Sequence, residues 1–283
     1  MNNFEPEKLN KNWTIEDSIS TYNIDKWGDQ YFSINSKGNI SITPERKSAK
    51  IVDLFKLVEE LKSREINTPL IIRFNDILKD RINELHEAFF KAIKTYEYKN
   101  IYQGVFPVKC NQQKNVLEKI LEFGEAWNFG LEVGSKSELL IGLSLLENQK
   151  SLLICNGYKD TKYIEVATLA RKLGKNPIIV IEQTDEVKRI IEAVKNLKAT
   201  PLLGIRAKLS SKSSGRWSKS IGDNSKFGLS IPEIMSTLKE LKEANLLNEV
   251  KLLHFHIGSQ ISDIAVIKDL SLIHISEPTR HER

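Results

Sequence analysis

The sequence predicts an α/β fold, an incomplete (β/α)8 barrel of about six βα units, preceded by an N-terminal segment with a β-hairpin and a long helix. Short apolar runs alternate with amphipathic helical segments from residue 105 onward, and most strand starts recur every 21 to 26 residues. The units follow one another without an obvious reversal, which favours a barrel over a doubly wound sheet. Periodicity alone leaves the doubly wound sheet open.

Each repeat combines a short apolar run with a segment whose apolar residues lie three and four positions apart. The predicted strands cover 105–111, 130–135, 151–157, 177–182, 201–209 and 251–259. The predicted helices cover 115–124, 136–147, 163–174, 185–197 and 232–245. Two of the helices close with glycine at the expected C-cap, Gly124 and Gly174.

The first hundred residues have a different pattern. Thr14 is placed to cap a helix, and YFSIN-SKGN-ISITP predicts a hairpin whose turn carries Gly38. Residues 74–98 predict a long amphipathic helix leading into the barrel.

We therefore expect three regions along the chain. Residues 1–72 contribute to a β-rich domain, residues 73–269 form the partial barrel, and residues 270–283 are a non-native tail. The tail, which contains LSLIHISEPTR, resembles the translation of a transposon-derived sequencing adapter, so we expect a truncated product.

Composition excludes several classes of protein. The 283 residues are 40% hydrophobic and 28% charged, with a net charge of +5 and no long basic run, which gives no reason to expect nucleic acid as a partner. No signal peptide or apolar run long enough to span a membrane is visible, so we expect a cytoplasmic protein. Cys110 and Cys155 lie outside any CxxC or Cys/His cluster, which predicts neither disulfides nor zinc.

Lys109 lies near the end of the first predicted barrel strand, in VFPVKCNQQ. In a barrel, active-site residues lie at the carboxyl ends of the strands. A structural lysine whose ammonium reaches the rim is one interpretation. The other is a Schiff-base lysine, because a desolvated amine has a lowered pKa and attacks aldehydes.

His254 and His256, in HFHIGS, share one face of the last predicted strand. A metal pair would need a third ligand that no spacing supplies, and a buried core histidine is the simplest alternative. An imidazole stacked on a flat cofactor ring is the third interpretation. Gly258 and Ser259 follow and could approach a phosphate.

Other polar residues occupy late-strand positions and predict a polar ring around one mouth of the barrel. They are Glu132, Asn156, Glu182 and Arg206. Glu132 and Arg206 could pair with each other only to satisfy two buried charges. The Gly/Ser/Lys-rich segment 210–230 is either a flexible surface loop or a loop that covers the site.

The ordered motifs PVKCNQQ, GLEVGSKSEL, ICNGYKD, GIRAKLSSKSSGRW with DNSKFGLS, and HFHIGSQIS, with the N-terminal YNIDKWGDQYFSIN, resemble the biosynthetic arginine decarboxylases. These are pyridoxal-phosphate (PLP) enzymes of the alanine-racemase-like fold type III. The resemblance covers residues from about 12 to 269. It implies the decarboxylation of L-arginine to agmatine and CO2 in polyamine biosynthesis, by an intact protein that is a homo-oligomer and is also associated with Mg²⁺.

The resemblance also implies roles for individual residues. Lys109 matches the lysine that carries PLP, His256 the histidine that stacks on its ring, and Ser259 a serine near its phosphate. Glu132 and Arg206 match polar residues of the cofactor pocket. A family KFG segment beside the site matches residues 226–228.

Three alternative functions remain open. The alternatives are another fold III decarboxylase, acting on ornithine or diaminopimelate; a non-catalytic PLP-binding homologue; and, from periodicity and Lys109 alone, a Schiff-base aldolase.

The family's glycine-rich phosphate loop, its acidic partner for the pyridine nitrogen and its C-terminal β-domain have no counterpart in this sequence. No metal-ligand cluster is visible either. We therefore expect the 283-residue product itself to be poorly folded and inactive.

Overall fold

The computed structural model describes residues 12–46, 50–209 and 227–258. The chain divides into two compact units, residues 1–100 and 101–283. The first unit includes the long helix, which the sequence pattern groups with the barrel. Within the described residues, no helix is long and apolar enough to cross a membrane.

The first unit begins with two short helices, α1 (Ile15–Tyr22) and α2 (Ile24–Trp27). The predicted cap is confirmed: the Thr14 hydroxyl accepts a hydrogen bond from the Asp17 N–H at 3.1 Å, and the Asp17 carboxylate accepts one from the Thr14 N–H at 3.0 Å. This reciprocal capping box satisfies donors that a helix start leaves unpaired.

The predicted hairpin is confirmed as strands β1 (Phe32–Ile34) and β2 (Ile40–Ile42), which pair antiparallel. Gly38 has a φ of +80° in the turn, a conformation that glycine adopts without steric cost. A third strand, β3 (Val52–Asp53), pairs with β2 and has no counterpart among the sequence predictions, because two residues are too few for a periodic signal.

Two further helices complete this unit. The first, α3 (Leu54–Ser63), is not among the sequence predictions, and α4 (Asn75–Thr95) confirms the long helix. The Asp80 carboxylate on α4 accepts a hydrogen bond from the Tyr31 hydroxyl at 2.6 Å and pairs with Arg46 at 2.9 Å. These contacts tie the hairpin region to the long helix.

The second unit is built on a six-stranded parallel sheet whose strands follow one another in chain order. The strands are β4 (Val105–Pro107), β5 (Gly130–Val133), β6 (Leu153–Cys155), β7 (Pro177–Ile181), β8 (Leu202–Arg206) and β9 (Val250–His254). The helices are α5 (Lys114–Phe123), α6 (Lys136–Leu145), α7 (Thr161–Ala170), α8 (Asp185–Leu197) and α9 (Ile231–Glu243). Sequential order without a reversal is that of a partial β/α barrel, which confirms the predicted fold class and excludes the doubly wound sheet.

Both faces of this sheet are apolar, as expected for parallel strands covered by helices. One set of alternate residues packs with the helices in the main core, and Leu131, Ile179 and Leu203 belong to it. The other set forms a separate cluster around Ile178 and Val180 on the opposite face. Since side chains alternate along a strand, the residues that continue this second set toward the strand ends share the inner face.

The predicted strands are too long at their carboxyl ends. The first ends at Pro107 instead of 111, and Val108–Cys110 forms a single 3₁₀ turn. Proline lacks the N–H that a ladder hydrogen bond needs, which favours the end of the strand there. The last ends at His254, and the remainder of its predicted range reaches Ser259, which lies outside the described residues.

Candidate active site

Lys109 lies in the 3₁₀ turn immediately after β4, so its amine is presented at the carboxyl end of the sheet. Its side chain is 64% exposed, so the amine is not desolvated in this structure, although the Schiff-base interpretation of the sequence included a desolvated amine. The burial cost that a core lysine would carry does not arise here. Lys109 is accessible to a ligand at the end of the sheet where barrel enzymes hold their substrates.

Glu132 on β5 is the ion-pair partner of Lys109, with a distance of 3.7 Å between Nζ and Oε1. In the parallel register Glu132 lies beside Pro107, two residues before the lysine. Its side chain is 17% exposed and so is more buried than the amine it faces. The alternative in which Glu132 pairs with Arg206 is wrong: the carboxylate faces Lys109 instead.

Arg206, the last residue of β8, pairs with Glu182 at the end of β7, with a distance of 2.6 Å between Nη1 and Oε1. Its guanidinium also lies 6.0 Å from the centre of the Phe227 ring. The arginine is mostly buried and Glu182 is wholly buried. Two neighbouring strand ends thus supply a fixed, charge-assisted hydrogen bond at the end of the sheet that also carries the Lys109–Glu132 pair.

The Glu182–Arg206 pair belongs to a larger cluster of buried charged side chains near the strand ends. Lys159, after β6, is completely buried and lies 3.8 Å from Glu182 and 3.1 Å from Glu186 at the start of α8. The residue types alone did not identify Lys159 or Glu186 as site residues. The available signal was a lysine four residues after an apolar strand, in ICNGYKD, but nothing in its spacing indicates burial.

His254 ends β9 and is paired in register with Arg206. Its Nδ1 atom is buried and has no hydrogen-bond partner within the described part of the chain. Burial, followed by the positive charge of Arg206, lowers the pKa of His254 from 6.5 to about 4. The imidazole is therefore neutral near pH 7.

His256 is more exposed and lies just beyond the strand. Its pKa is lowered by burial first and then by the positive charges of Arg206 and Lys109, while Glu132 and Glu182 oppose the shift. Charges from four other strand ends thus act on one imidazole. The structure places Lys109, Glu132, Arg206 and His256 at the same end of the sheet.

Asn156 lies at the same end of the sheet, directly after β6, whereas several other predicted features lie outside the described residues. Asn156 follows β6, and its backbone N–H donates to the Val133 carbonyl at 3.1 Å. Ser259 and most of the 210–230 loop, including Lys226, lie outside the described residues, as does the 270–283 tail. Gly258, the last described residue, has a φ of +123°, which other residues rarely adopt.

The site chemistry fits an aldehyde-bearing anionic cofactor better than a metal ion. An accessible primary amine can bond to an aldehyde, a guanidinium favours an anion, and an imidazole can lie against a ring. Within the described ranges there is no group of three or more His, Cys, Asp or Glu that could hold a metal ion. The residues present are therefore compatible with PLP and give no support to a magnesium site.

The sequence model of the family "Pyridoxal-dependent decarboxylase, pyridoxal binding domain" matches residues 79–271. The chain belongs to this family, and it contains a pyridoxal-binding domain. The match begins inside α4, whereas the two compact units divide after that helix. The domain boundary at residues 72 and 73 therefore stays a prediction.

The chain is similar to biosynthetic arginine decarboxylases. It is 86% identical over 269 residues to that of Prochlorococcus marinus strain MIT 9215, a match that covers 95% of this chain and 42% of the relative. The corresponding protein of Parasynechococcus marenigrum strain WH8102 is 59% identical over 257 residues, with 91% and 40% covered. The chain thus spans about two fifths of the length of the curated relatives it matches.

Solved structures show the same fold. The biosynthetic arginine decarboxylase of Campylobacter jejuni superposes with a TM-score of 0.76 at 33% identity, covering 88% of this chain and 39% of that one. A diaminopimelate decarboxylase of M. jannaschii, in complex with L-lysine, gives a TM-score of 0.58 at 23% identity, with 85% and 50% covered. The second likeness concerns the fold alone.

Proposed function

We propose that this chain carries the PLP site of an arginine decarboxylase, which converts L-arginine to agmatine and CO2. The observation that carries the proposal is the 86% identity to a biosynthetic arginine decarboxylase across 95% of the chain. The accessible Lys109 amine at the carboxyl end of the sheet supports it independently, because this is where the chemistry requires a nucleophile.

In this proposal Lys109 is the residue to which PLP is covalently attached. Its Nζ must lose a proton before it can bond to carbon, and Glu132, 3.7 Å away, orients the ammonium until then. When bound, PLP would supply an electron sink for the electron pair that remains on the substrate when its carboxylate is lost as CO2. The protein binds and orients the cofactor and the substrate and excludes competing reactions.

His256 and Arg206 hold the remaining roles. The neutral imidazole of His256, whose pKa is lowered by burial and by its cationic neighbours, is suited to lie against the cofactor ring without adding charge. Arg206, fixed by Glu182 at 2.6 Å, offers a positive group to the anionic cofactor. Ser259 stays a prediction as a phosphate contact, since it lies outside the described residues.

The covalent attachment is tested by reduction with borohydride followed by peptide mass spectrometry. We expect the PLP adduct on the peptide containing Lys109 and its loss in Lys109→Ala. Lys114→Ala is the matched control, because Lys114 is also exposed and also forms an ion pair, at 3.6 Å with Glu118. An adduct that survives in Lys109→Ala, or that disappears in Lys114→Ala, would contradict the assignment.

The substrate is tested on the intact parent protein, because the 283-residue product itself is expected to be inactive. The assay is release of labelled CO2 from carboxyl-labelled L-arginine, L-ornithine and meso-diaminopimelate under identical conditions. We expect L-arginine to be decarboxylated most efficiently, as judged by kcat/KM. A preference for either competitor would favour another fold III decarboxylase. Attachment of PLP without decarboxylation of any of the three would favour the non-catalytic homologue.

Magnesium, oligomerisation and location stay predictions. The relation to Mg²⁺ rests on resemblance alone, and dialysis against a chelator, with PLP affinity as readout, tests whether the ion contributes. The homo-oligomer is tested by light scattering. A cytoplasmic location is supported by two free cysteines, Cys110 and Cys155, since thiols persist in reducing compartments.

A further inference from the structure

Four charged side chains form a continuous network behind the proposed cofactor site. Lys159 lies 3.1 Å from Glu186 Oε1 and 3.8 Å from Glu182 Oε2, and the other oxygen of Glu182 lies 2.6 Å from Arg206. The side chains of Lys159 and Glu182 are 0% exposed, that of Glu186 is 1% and that of Arg206 is 15%. The network therefore contains two cations and two carboxylates, nearly excluded from water.

Lys159 is the counter-charge of the two carboxylate oxygens that face it. Within the described residues, Glu182 Oε2 and Glu186 Oε1 have no hydrogen-bond partner, so each depends on the nearby ammonium. Burial raises the pKa of Glu186, and the charge of Lys159 is the largest influence opposing that rise. A buried carboxylate left without such a charge is costly.

Backbone hydrogen bonds fix the members of this network. The Lys159 ammonium donates to the Gly157 carbonyl at 2.6 Å, and Glu186 Oε2 accepts from the Glu182 N–H at 2.9 Å. Because Lys159 and Glu186 are anchored to the backbone in this way, a change in the charge of the network acts on the Glu182–Arg206 pair. The Arg206 guanidinium is the most exposed of the four groups, at 15%, and lies at the carboxyl end of the sheet.

We propose that Lys159 is a positioning residue of the cofactor site: by balancing Glu186, it leaves Glu182 free to hold Arg206 in place at the end of the sheet that carries Lys109 and His256. The proposal rests on the proposed binding of PLP at this site. Without Lys159, two buried carboxylates compete for Arg206 and draw it inward. Without Glu186, the ammonium competes with Arg206 for Glu182.

A charge-balance cycle tests this role with three variants, Lys159→Met, Glu186→Gln and the double variant. The double variant restores neutrality, since Glu182 and Arg206 remain as a single pair. The matched control is Lys162→Met with Glu165→Gln, which removes an exposed ion pair of 2.7 Å on α7.

The readouts are the dissociation constant of PLP, from fluorescence quenching, and the titration of His256 in the cofactor-free protein, from NMR. Among the residues that the structure describes, the charged groups with the largest influence on His256 are Arg206, Lys109, Glu132 and Glu182. Movement of Arg206 away from the imidazole would raise the pKa of His256. Glu186→Gln separates movement of Arg206 from the direct effect of charge, because removal of a carboxylate would by itself favour an anionic cofactor, whereas loss of Arg206 from the site weakens PLP binding.

We expect each single variant to weaken PLP binding roughly tenfold, the size expected for loss of one charge-assisted hydrogen bond. Lys159→Met raises the pKa of His256, the double variant restores both readouts, and the control changes neither. Unchanged readouts in folded Lys159→Met, or a double variant as impaired as the single ones, would overturn the proposal.

The double variant also decides the case in which Lys159→Met does not fold. A folded double variant with native His256 titration supports charge balance, and an unfolded one overturns it. If the unmodified protein does not bind PLP, the proposed function fails, whereas the His256 titration in the cofactor-free protein still decides the role of Lys159.

Discussion

Replacing Glu182 with glutamine removes one negative charge from the buried network and preserves the size of the side chain. Arg206 then loses the carboxylate 2.6 Å away, and Lys159 keeps only Glu186. Removing one partner of a buried ion pair typically costs about 3 to 5 kcal/mol, because the other charge is left uncompensated. We expect about 3 kcal/mol, the lower end, since glutamine can still accept a hydrogen bond and Lys159 retains a partner.

The assay is urea unfolding of the cofactor-free protein at neutral pH, followed by circular dichroism. Glu165→Gln is the matched control, because its pair with Lys162 is 2.7 Å long, almost the same as the Glu182–Arg206 pair. The Lys162 side chain is 76% exposed, and exposed pairs contribute about 0 to 1 kcal/mol. The two ion pairs have nearly the same length, so the difference in lost stability between the two substitutions measures the effect of burial.

Equal losses of stability in the two variants would refute the reasoning. So would a loss below about 1 kcal/mol for Glu182→Gln with an unchanged slope against urea, because burial would then contribute little to this pair.

Three further outcomes are expected. His254 has a folded pKa of about 4, below the ordinary 6.5, so its contribution to stability is complete above pH 6.5 and falls by up to roughly 3 kcal/mol between pH 6.5 and about 4. In urea unfolding, His254→Gln should make the free energy of unfolding depend less on pH across this window. An unchanged pH dependence would contradict the lowered pKa of His254. Cys110 is exposed, whereas Cys155 is fully buried with its pKa raised to about 12, so a maleimide should label Cys110 in the native protein and Cys155 only after unfolding, as mass spectrometry would show. Gly157→Ala should destabilise the protein by at least about 2 kcal/mol more than Gly38→Ala in the same unfolding assay. Both glycines have a positive φ, but only at Gly157 would an added Cβ meet a backbone oxygen, at 2.7 Å. Equal losses of stability would show that the backbone relaxes to remove this contact.

The fold class could be predicted because it depends on a repeated local pattern. Helix α8 is predicted with its observed bounds, Asp185–Leu197, since its apolar residues repeat regularly over several turns. Strand ends were predicted less well. At Pro107 the chain leaves the ladder although the apolar run continues to Val108, because hydrogen bonding ends the strand there and hydropathy does not.

The candidate site was predicted in part. Late-strand polar positions identified Glu132, Glu182 and Arg206, because parallel strands bring their carboxyl ends to one edge. The pairing among them could not be read from the chain: the structure pairs Glu132 with Lys109, and Arg206 with Glu182. Partner choice depends on distances of a few ångströms between strand ends, which no sequence spacing specifies.

The sequence by itself determined the order of strands and helices, the position of Lys109 after an apolar strand, and the motifs that carry the family resemblance. Only the tertiary structure decided that the Lys109 side chain is exposed and that Lys159 is completely buried. Both residues are lysines that follow apolar strands, so local composition does not separate them. What separates them is the packing of neighbouring strands and helices, which places two carboxylates around Lys159 and leaves Lys109 open to a ligand.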